Sequence, residues 1–102
     1  MTTNVNIKRS SILIDPTIEL NDKLNAFDNI ITETFGDEVD CIKHELWSEH
    51  ISFTNVYFTN GDYIGFRVSA KKVIDDTYNA SKEYLRKAFK AFDIEMPYWM
   101  YR

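Results

Sequence analysis

The chain has 102 residues, of which 44 % are hydrophobic and 15 % aromatic, and its formal net charge is −4. This length is typical of one domain and the apolar content excludes a disordered chain, so we expect a single folded domain over residues 1–102. The negative charge disfavours a protein whose whole surface binds nucleic acid or an anionic membrane, which leaves only a local basic patch for such ligands.

The sequence also indicates a compartment. Cys41 is the only cysteine, so no disulfide can form within the chain. The first nine residues lack the apolar stretch of a secretory signal. The longest apolar run, Ile12 to Ile14, is far shorter than the roughly 18 residues of a membrane span. From these features we expect a cytoplasmic protein with no membrane partner.

The first two predicted elements are a strand and a helix. Residues 5–14 are rich in β-branched side chains and predict a strand that ends before Asp15 and Pro16. Asp15 then serves as the N-cap of a helix over 16–35, with Pro16 at the first helical position. Gly36 follows where a positive φ ends a helix. One apolar stripe runs along the helix, formed by Leu20, Leu24, Phe27, Ile31 and Phe35.

Residues 39–69 predict three strands. In the first, Ile42 and Leu46 share one face, with Val39, Cys41 and Trp47 on the other. The other two form a hairpin around Asn60-Gly61, a pair typical of a two-residue type I′ turn. That turn pairs residues whose numbers sum to 121, so one face is apolar in both strands. On this face we expect Ile51, Phe53, Asn55 and Tyr57 opposite Ala70, Val68, Phe66 and Ile64.

The last predicted elements are a second helix and a short aromatic tail. After a connection over 71–76, capped by Asp75 or Asp76, the helix runs to about Phe92. Its stripe comprises Ile74, Tyr78, Ser81, Leu85, Ala88, Phe89 and Phe92. Residues 94–102 follow, with Pro97 blocking continuation of the helix. The order β-α-β-β-β-α predicts an α+β domain in which two helices pack on one face of a three- to four-stranded, mainly antiparallel sheet.

No residue set in the sequence predicts catalysis. Cys41, His44, Glu45 and His50 are the only cluster of nucleophile, base and metal-ligand types. On a strand Cys41 and His44 point to opposite faces, and the spacing of the two histidines is not that of a zinc site. We interpret these residues as a buried thiol and two histidines at the surface or at a strand edge. The three glycines form no phosphate-binding loop. We therefore expect no enzymatic activity, no metal and no cofactor.

The charge is unevenly distributed along the chain. Residues 15–49 hold ten acids and two bases, for a net charge of −8, whereas residues 63–102 hold five acids and eight bases, for a net charge of +3. Like charges at helical spacing cost a few tenths of a kcal/mol per pair, so a surface that keeps them is a candidate for binding a basic partner. The alternative is an acidic helix face that serves solubility. We call this candidate surface the acidic ridge; it comprises Asp15, Glu19, Asp22, Asp37, Glu38 and Asp40.

Two further groups of side chains are candidate binding residues. The second helix carries a basic face that could hold phosphates. A structural explanation also exists, because Glu83 can form an ion pair with Lys87 one turn away and cations near a helix C-terminus interact favourably with the helix dipole. The aromatic residues of the C-terminal tail, beside Met96 and Met100, are typical interface anchors, but they could equally fold back on the core. Trp47 raises the same question, because a tryptophan near the end of a strand could be core or an exposed platform. The basic set is Lys82, Arg86, Lys87 and Lys90, and the aromatic anchors are Trp47, Tyr98, Trp99 and Tyr101.

These observations favour a small non-catalytic protein-binding module. In its size, acidity and aromatic content the chain is similar to small phage proteins that block a host enzyme. This similarity implies an inhibitor of a host nucleic-acid-handling or defence protein, whose basic surface meets the acidic ridge. The alternatives are a nucleic-acid or anion binder that uses the basic helix, and a structural protein that forms homodimers or larger homo-oligomers.

Overall fold

The computed structural model describes residues 4–9 and 15–101 and confirms the α+β class. The strands lie side by side in chain order, with the first parallel to the second and every other neighbouring pair antiparallel. Short 3₁₀ turns occupy Gly36–Glu38 and Tyr98–Tyr101. The elements are β1 (Asn4–Arg9), α1 (Ile18–Phe35), β2 (Val39–Leu46), β3 (Ile51–Phe58), β4 (Tyr63–Ser69), β5 (Val73–Asn79) and α2 (Lys82–Ala91).

The first helix follows the predicted stripe but begins two residues later than expected. The cap is Thr17 and not Asp15, because the Thr17 hydroxyl accepts a hydrogen bond from the Leu20 N–H at 3.1 Å. Gly36 has φ +57° and ends the helix, as predicted. All five stripe residues are buried, whereas residues 10–14 of the predicted first strand lie outside the described residues.

The register of the hairpin differs from the prediction by one residue. Its pairs sum to 120, as in Val56 with Ile64, because Phe58 pairs with Asp62 and three residues, 59–61, connect them instead of two. The Phe58 N–H donates to the Asp62 carbonyl at 2.9 Å, and only Gly61 in the loop has a positive φ. A shift of one residue turns every side chain of a strand over. The predicted core face of β4 is therefore correct, whereas that of β3 is wrong, and β3 buries Ser52, Thr54, Val56 and Phe58.

The prediction for the second helix is wrong at its start. Residues 73–79 form the edge strand β5, and Asp75 and Asp76 lie on this strand instead of capping a helix. The helix begins at Lys82, where the Ser81 hydroxyl accepts a hydrogen bond from the Tyr84 N–H. The spacing of Ile74, Tyr78 and Ser81 fits a helical stripe, but pairing with β4 provides backbone hydrogen bonds that this spacing does not reveal.

The core lies between the two helices and one side of the sheet, which we call the inner face. Phe27 of α1 is central to it, since its ring meets that of Phe66 edge to face at 5.2 Å and stacks on that of Phe92 at 4.7 Å. Leu85, Ala88 and Phe89 of α2 are buried in the same cluster. The inner-face side chains of the strands are Ile42, His44, Leu46, Ser52, Thr54, Val56, Phe58, Ile64, Phe66 and Val68.

Gly65 permits the close approach of two side chains from the neighbouring strands. A Cβ atom at this position would lie 2.7 Å from Asn55 Oδ1 and 2.9 Å from Thr77 Oγ1. Both distances are shorter than a van der Waals contact allows, so an added methyl group must displace its neighbours.

We expect Gly65→Ala to lower the free energy of unfolding by about 1–3 kcal/mol through this overcrowding. Urea denaturation monitored by circular dichroism measures the loss. In the double variant Asn55→Ala/Gly65→Ala the nearest obstacle is absent, so its loss should be smaller than the sum of the two single losses. Additive losses would contradict the crowding argument.

Candidate functional site

The side of the sheet that faces away from α1 and α2 is exposed, and we call it the outer face. It carries alternate side chains of the central strands, among them the aromatic residues Phe53, Tyr57 and Tyr63. Trp47 lies just past the end of β2 and is 60 % exposed, with its ring edge to face against Phe53 at a centroid distance of 4.0 Å. The fold therefore presents an indole to solvent, in contact with a side chain of the outer face.

Two cations of the outer face already lie against aromatic rings. The Lys43 ammonium is 5.3 Å from the centre of the Tyr57 ring, and the Arg67 guanidinium is 5.5 Å from that of Phe53. Arg67 also forms an ion pair with Asp76 at 3.5 Å. The outer face thus contains one complete example of a guanidinium held by a ring and a carboxylate.

A depression of about 320 Å³ lies beside Trp47 on this face. Asn55 and Thr77 approach each other over Gly65, which forms its floor. In residues 15–101 we find no hydrogen bond or ion pair of the Asn55, Thr77 or Glu45 side chains. These groups are free to bind a ligand. We call this site the Gly65 depression; its lining residues are Glu45, Trp47, Phe53, Asn55, Gly65, Phe66, Asp76 and Thr77.

His44 is buried on the inner face, and its predicted surface position is wrong. Its Nε2 lies 2.8 Å from Asp28 Oδ1 of α1, and its Nδ1 lies 2.7 Å from the Thr54 hydroxyl. The Thr54 oxygen is in turn 3.1 Å from that of Ser52. His44, Thr54 and Ser52 are fully buried, and the Asp28 side chain is 13 % exposed, so only the carboxylate end of this Asp-His-Thr-Ser chain reaches the surface. It joins α1 to the sheet by satisfying polar groups within the core.

The other members of the predicted cluster lie apart from His44. Cys41 is half-buried and pairs with Tyr57, so it lies on the opposite face of β2 from His44, as strand alternation predicts. His50 is exposed and lies 3.2 Å from Glu49. The structure therefore brings neither Cys41 nor His50 to the buried histidine.

The acidic ridge divides into two groups. Asp15, Glu19 and Asp22 are exposed around the start of α1. The others follow its end, and an α-helix of 18 residues is about 27 Å long. Asp37 and Asp40 are exposed, whereas Glu38 accepts a hydrogen bond from the Tyr84 hydroxyl at 3.3 Å.

The basic residues and the C-terminal aromatic residues lie elsewhere. The basic side chains of α2 are exposed, and one of them, Lys87, is 3.6 Å from Glu83. Trp99 is half-buried near Tyr78, at a ring distance of 6.4 Å, and Met100 is buried in the core. Tyr98 is 74 % exposed, and the Tyr101 side chain lies outside the described residues. The tail therefore docks through Trp99 and Met100, away from Trp47 on the outer face.

Comparison with known proteins provides no relative: no protein-family model, curated protein or solved structure matches this chain. Within the described ranges, no helix is long and apolar enough to cross a membrane. The same ranges contain no group of three or more His, Cys, Asp or Glu side chains able to hold a metal ion.

Sequence reasoning missed Phe53, Asn55, Gly65 and Thr77 as site residues, because only the correct strand register would have revealed them.

We expect His44→Leu to lower the free energy of unfolding by about 2–4 kcal/mol, because it leaves Asp28 and Thr54 without their buried partner. His50→Ala is the matched control and should change stability little, since that side chain is exposed. The double variant Asp28→Leu/His44→Leu should recover part of the loss, because both polar partners are then replaced. Urea denaturation measures the free energy of unfolding of each variant. A double variant that is no more stable than His44→Leu would contradict the pairing of Asp28 with His44.

Tyr84 provides a pH-dependent prediction. Partial burial, followed by the nearby Glu38 carboxylate, raises the pKa of its phenol above the ordinary value. The neutral phenol is therefore favoured by folding, and its contribution to stability is full below the pKa of an unfolded tyrosine. That contribution is lost as the pH rises through the pKa of the folded protein.

We expect Glu38→Gln to lower the pKa of Tyr84, because it removes the Glu38 charge and leaves the burial and the weaker effects of Asp62 and Glu83. The pH titration of the Tyr84 ring carbons by NMR measures this change. Glu95→Gln, an exposed carboxylate beyond α2, is the control. An unchanged titration in the Glu38 variant would mean that the carboxylate has no influence on the phenol.

Proposed function

We propose that this chain is a non-catalytic module that binds a protein with a basic surface. We further propose that it is an inhibitor, whose partner is a nucleic-acid-handling or defence protein. The observation that carries the proposal is the exposed Trp47 of the outer face, braced by Phe53 beside the Gly65 depression. Tryptophan is the residue most enriched among the anchors of protein interfaces.

The geometry of Trp47 suits an anchor. A large exposed apolar ring is costly in water, and binding a partner recovers that cost as affinity. Its edge contact with Phe53, whose ring also faces the Arg67 guanidinium, limits the rotamers that Trp47 can adopt. Less conformational entropy is then lost when a partner covers the ring.

The acidic residues support a basic partner. Among residues 15–101 no basic side chain lies within 4.0 Å of the carboxylates of Glu19, Asp22, Asp37 or Asp40. Uncompensated charge of one sign attracts an oppositely charged protein over a distance of about one Debye length, roughly 8–10 Å in physiological salt. We therefore propose that the two acidic groups accelerate association, while Trp47 and its neighbours slow dissociation.

We expect Trp47→Ala to abolish capture of the partner from a nuclease-treated extract of the cells in which the chain acts, with the full-length tagged protein as bait. Ile18→Ala removes another large exposed apolar side chain, on α1, and should retain the partner. Added double-stranded DNA should release the captured protein, because the DNA competes for the same basic surface.

The double variant Glu19→Lys/Asp22→Lys tests the role of charge. It should lower the association rate for the captured protein and flatten its salt dependence, with little change in the dissociation rate. Glu83→Lys/Glu95→Lys alters the net charge equally and is the control.

Undiminished capture by Trp47→Ala would refute the proposal. Capture that vanishes with nuclease would favour the basic helix, and self-association lost in Trp47→Ala would favour a homo-oligomer.

A further inference from the structure

We infer that the Gly65 depression receives an arginine side chain of the protein partner. This inference rests on the proposed function and deepens it, because it identifies the group that the outer face recognises. The depression combines an aromatic ring, Trp47, with the carboxylate of Glu45 and with unpaired polar groups on Asn55 and Thr77. A guanidinium is planar, carries five N–H donors and stacks on aromatic faces, so it matches each of these features.

Strand pairing places the recognising groups in adjacent rows. Glu45 lies opposite Phe53, whose ring braces Trp47, and Phe53 lies opposite Arg67 on its other side. In the next row Asn55 lies opposite Gly65, which lies opposite Thr77. The carboxylate and the indole therefore border a floor that offers amide and hydroxyl oxygens, all of which can accept hydrogen bonds from a guanidinium.

The chain itself already contains the same type of interaction. Arg67 lies over the Phe53 ring and forms an ion pair with Asp76 at 3.5 Å. Trp47 and Glu45 form a second combination of ring and carboxylate on the other side of Phe53, and among residues 15–101 no basic side chain lies within 4.0 Å of the Glu45 carboxylate. Of the cations in residues 15–101, Lys43 and Arg67 already lie on the rings of Tyr57 and Phe53, and strand pairing places Lys8 of β1 opposite Glu45.

The size and charge of the depression favour a cationic side chain over other ligands. Its volume of about 320 Å³ is at the lower end for ligand sites, which suits one side chain. The Glu45 carboxylate lines it and repels phosphate groups, whereas the charge of Asp76 is balanced by Arg67. A nucleobase could stack on Trp47, but the phosphates of its strand would then approach this negative charge.

NMR titration of the full-length, ¹⁵N-labelled chain tests the inference directly. The probe is N-acetyl-arginine amide, and the neutral isostere N-acetyl-citrulline amide is its control. We expect saturable shifts of the Trp47 indole N–H, the Asn55 side-chain amide and the Gly65 backbone amide with the arginine probe, and none with citrulline. Glu45→Gln should weaken binding about threefold or more, and Trp47→Ala about tenfold, since they remove the charge and the ring.

Glu33→Gln removes an exposed carboxylate of α1 and should leave the affinity unchanged, so it controls for net charge. Equal shifts with citrulline, equal weakening by Glu45→Gln and Glu33→Gln, or no shifts with arginine would each overturn the inference. Saturation of the same signals by a short thymidine oligonucleotide, without binding of arginine, would assign the depression to nucleic acid and would also overturn it.

The two proposals can fail separately. If Trp47→Ala abolishes capture but the arginine probe does not bind, the proposed function stands and the inference about the depression falls. If the arginine probe binds as expected but no protein is captured, the cation site stands and the protein-binding function falls. Glu45→Gln in the capture assay tests both proposals together. Its decrease in captured partner should match its decrease in affinity for the arginine probe.

Discussion

The pairing of β3 with β4 decides which side chains face the two helices and which face solvent. Val56 opposite Ile64 and Thr54 opposite Phe66 place an almost continuous apolar layer under α1 and α2. Because alternate residues of a strand point to opposite sides, the same pairing places Phe53 and Asn55 on the outer face. A register one residue away would bury the residues that now form the Gly65 depression. The core and the candidate site are therefore two consequences of a single set of backbone hydrogen bonds.

This register buries two hydroxyl groups, and the His44 network provides their hydrogen-bond partners. It buries the hydroxyls of Ser52 and Thr54, and an unsatisfied buried hydroxyl destabilises a protein by about 1–3 kcal/mol. His44 approaches Thr54 from β2 and is itself held by Asp28 of α1. The polar network thus satisfies the hydroxyl groups that this register buries, and it holds α1 against the sheet. Its histidine and both hydroxyl groups are fully buried, and only Asp28 at its end is partly exposed.

The outer face combines features that are separately ordinary, and in the proposed function they together form a recognition surface. Trp47 is held by Phe53, while Asn55 and Thr77 meet over a glycine that leaves them room. The rigid sheet positions these groups, so little ordering is required when a partner binds. The acidic groups at the two ends of α1 lie outside this face, which separates a long-range electrostatic role from close-range contact. In the proposed function the two roles address the same basic partner.

Local physics in the sequence determined the α+β class, the buried stripe of α1 and the end of that helix at Gly36, since each depends on residues within one or two turns. The sequence also marked Trp47 as core or exposed platform without deciding between them. Only the tertiary structure decided the strand β5, the burial of His44 and the meeting of Asn55, Gly65 and Thr77. Strand pairing joins residues distant in the chain, and a loop one residue longer turns a whole strand over without changing its composition.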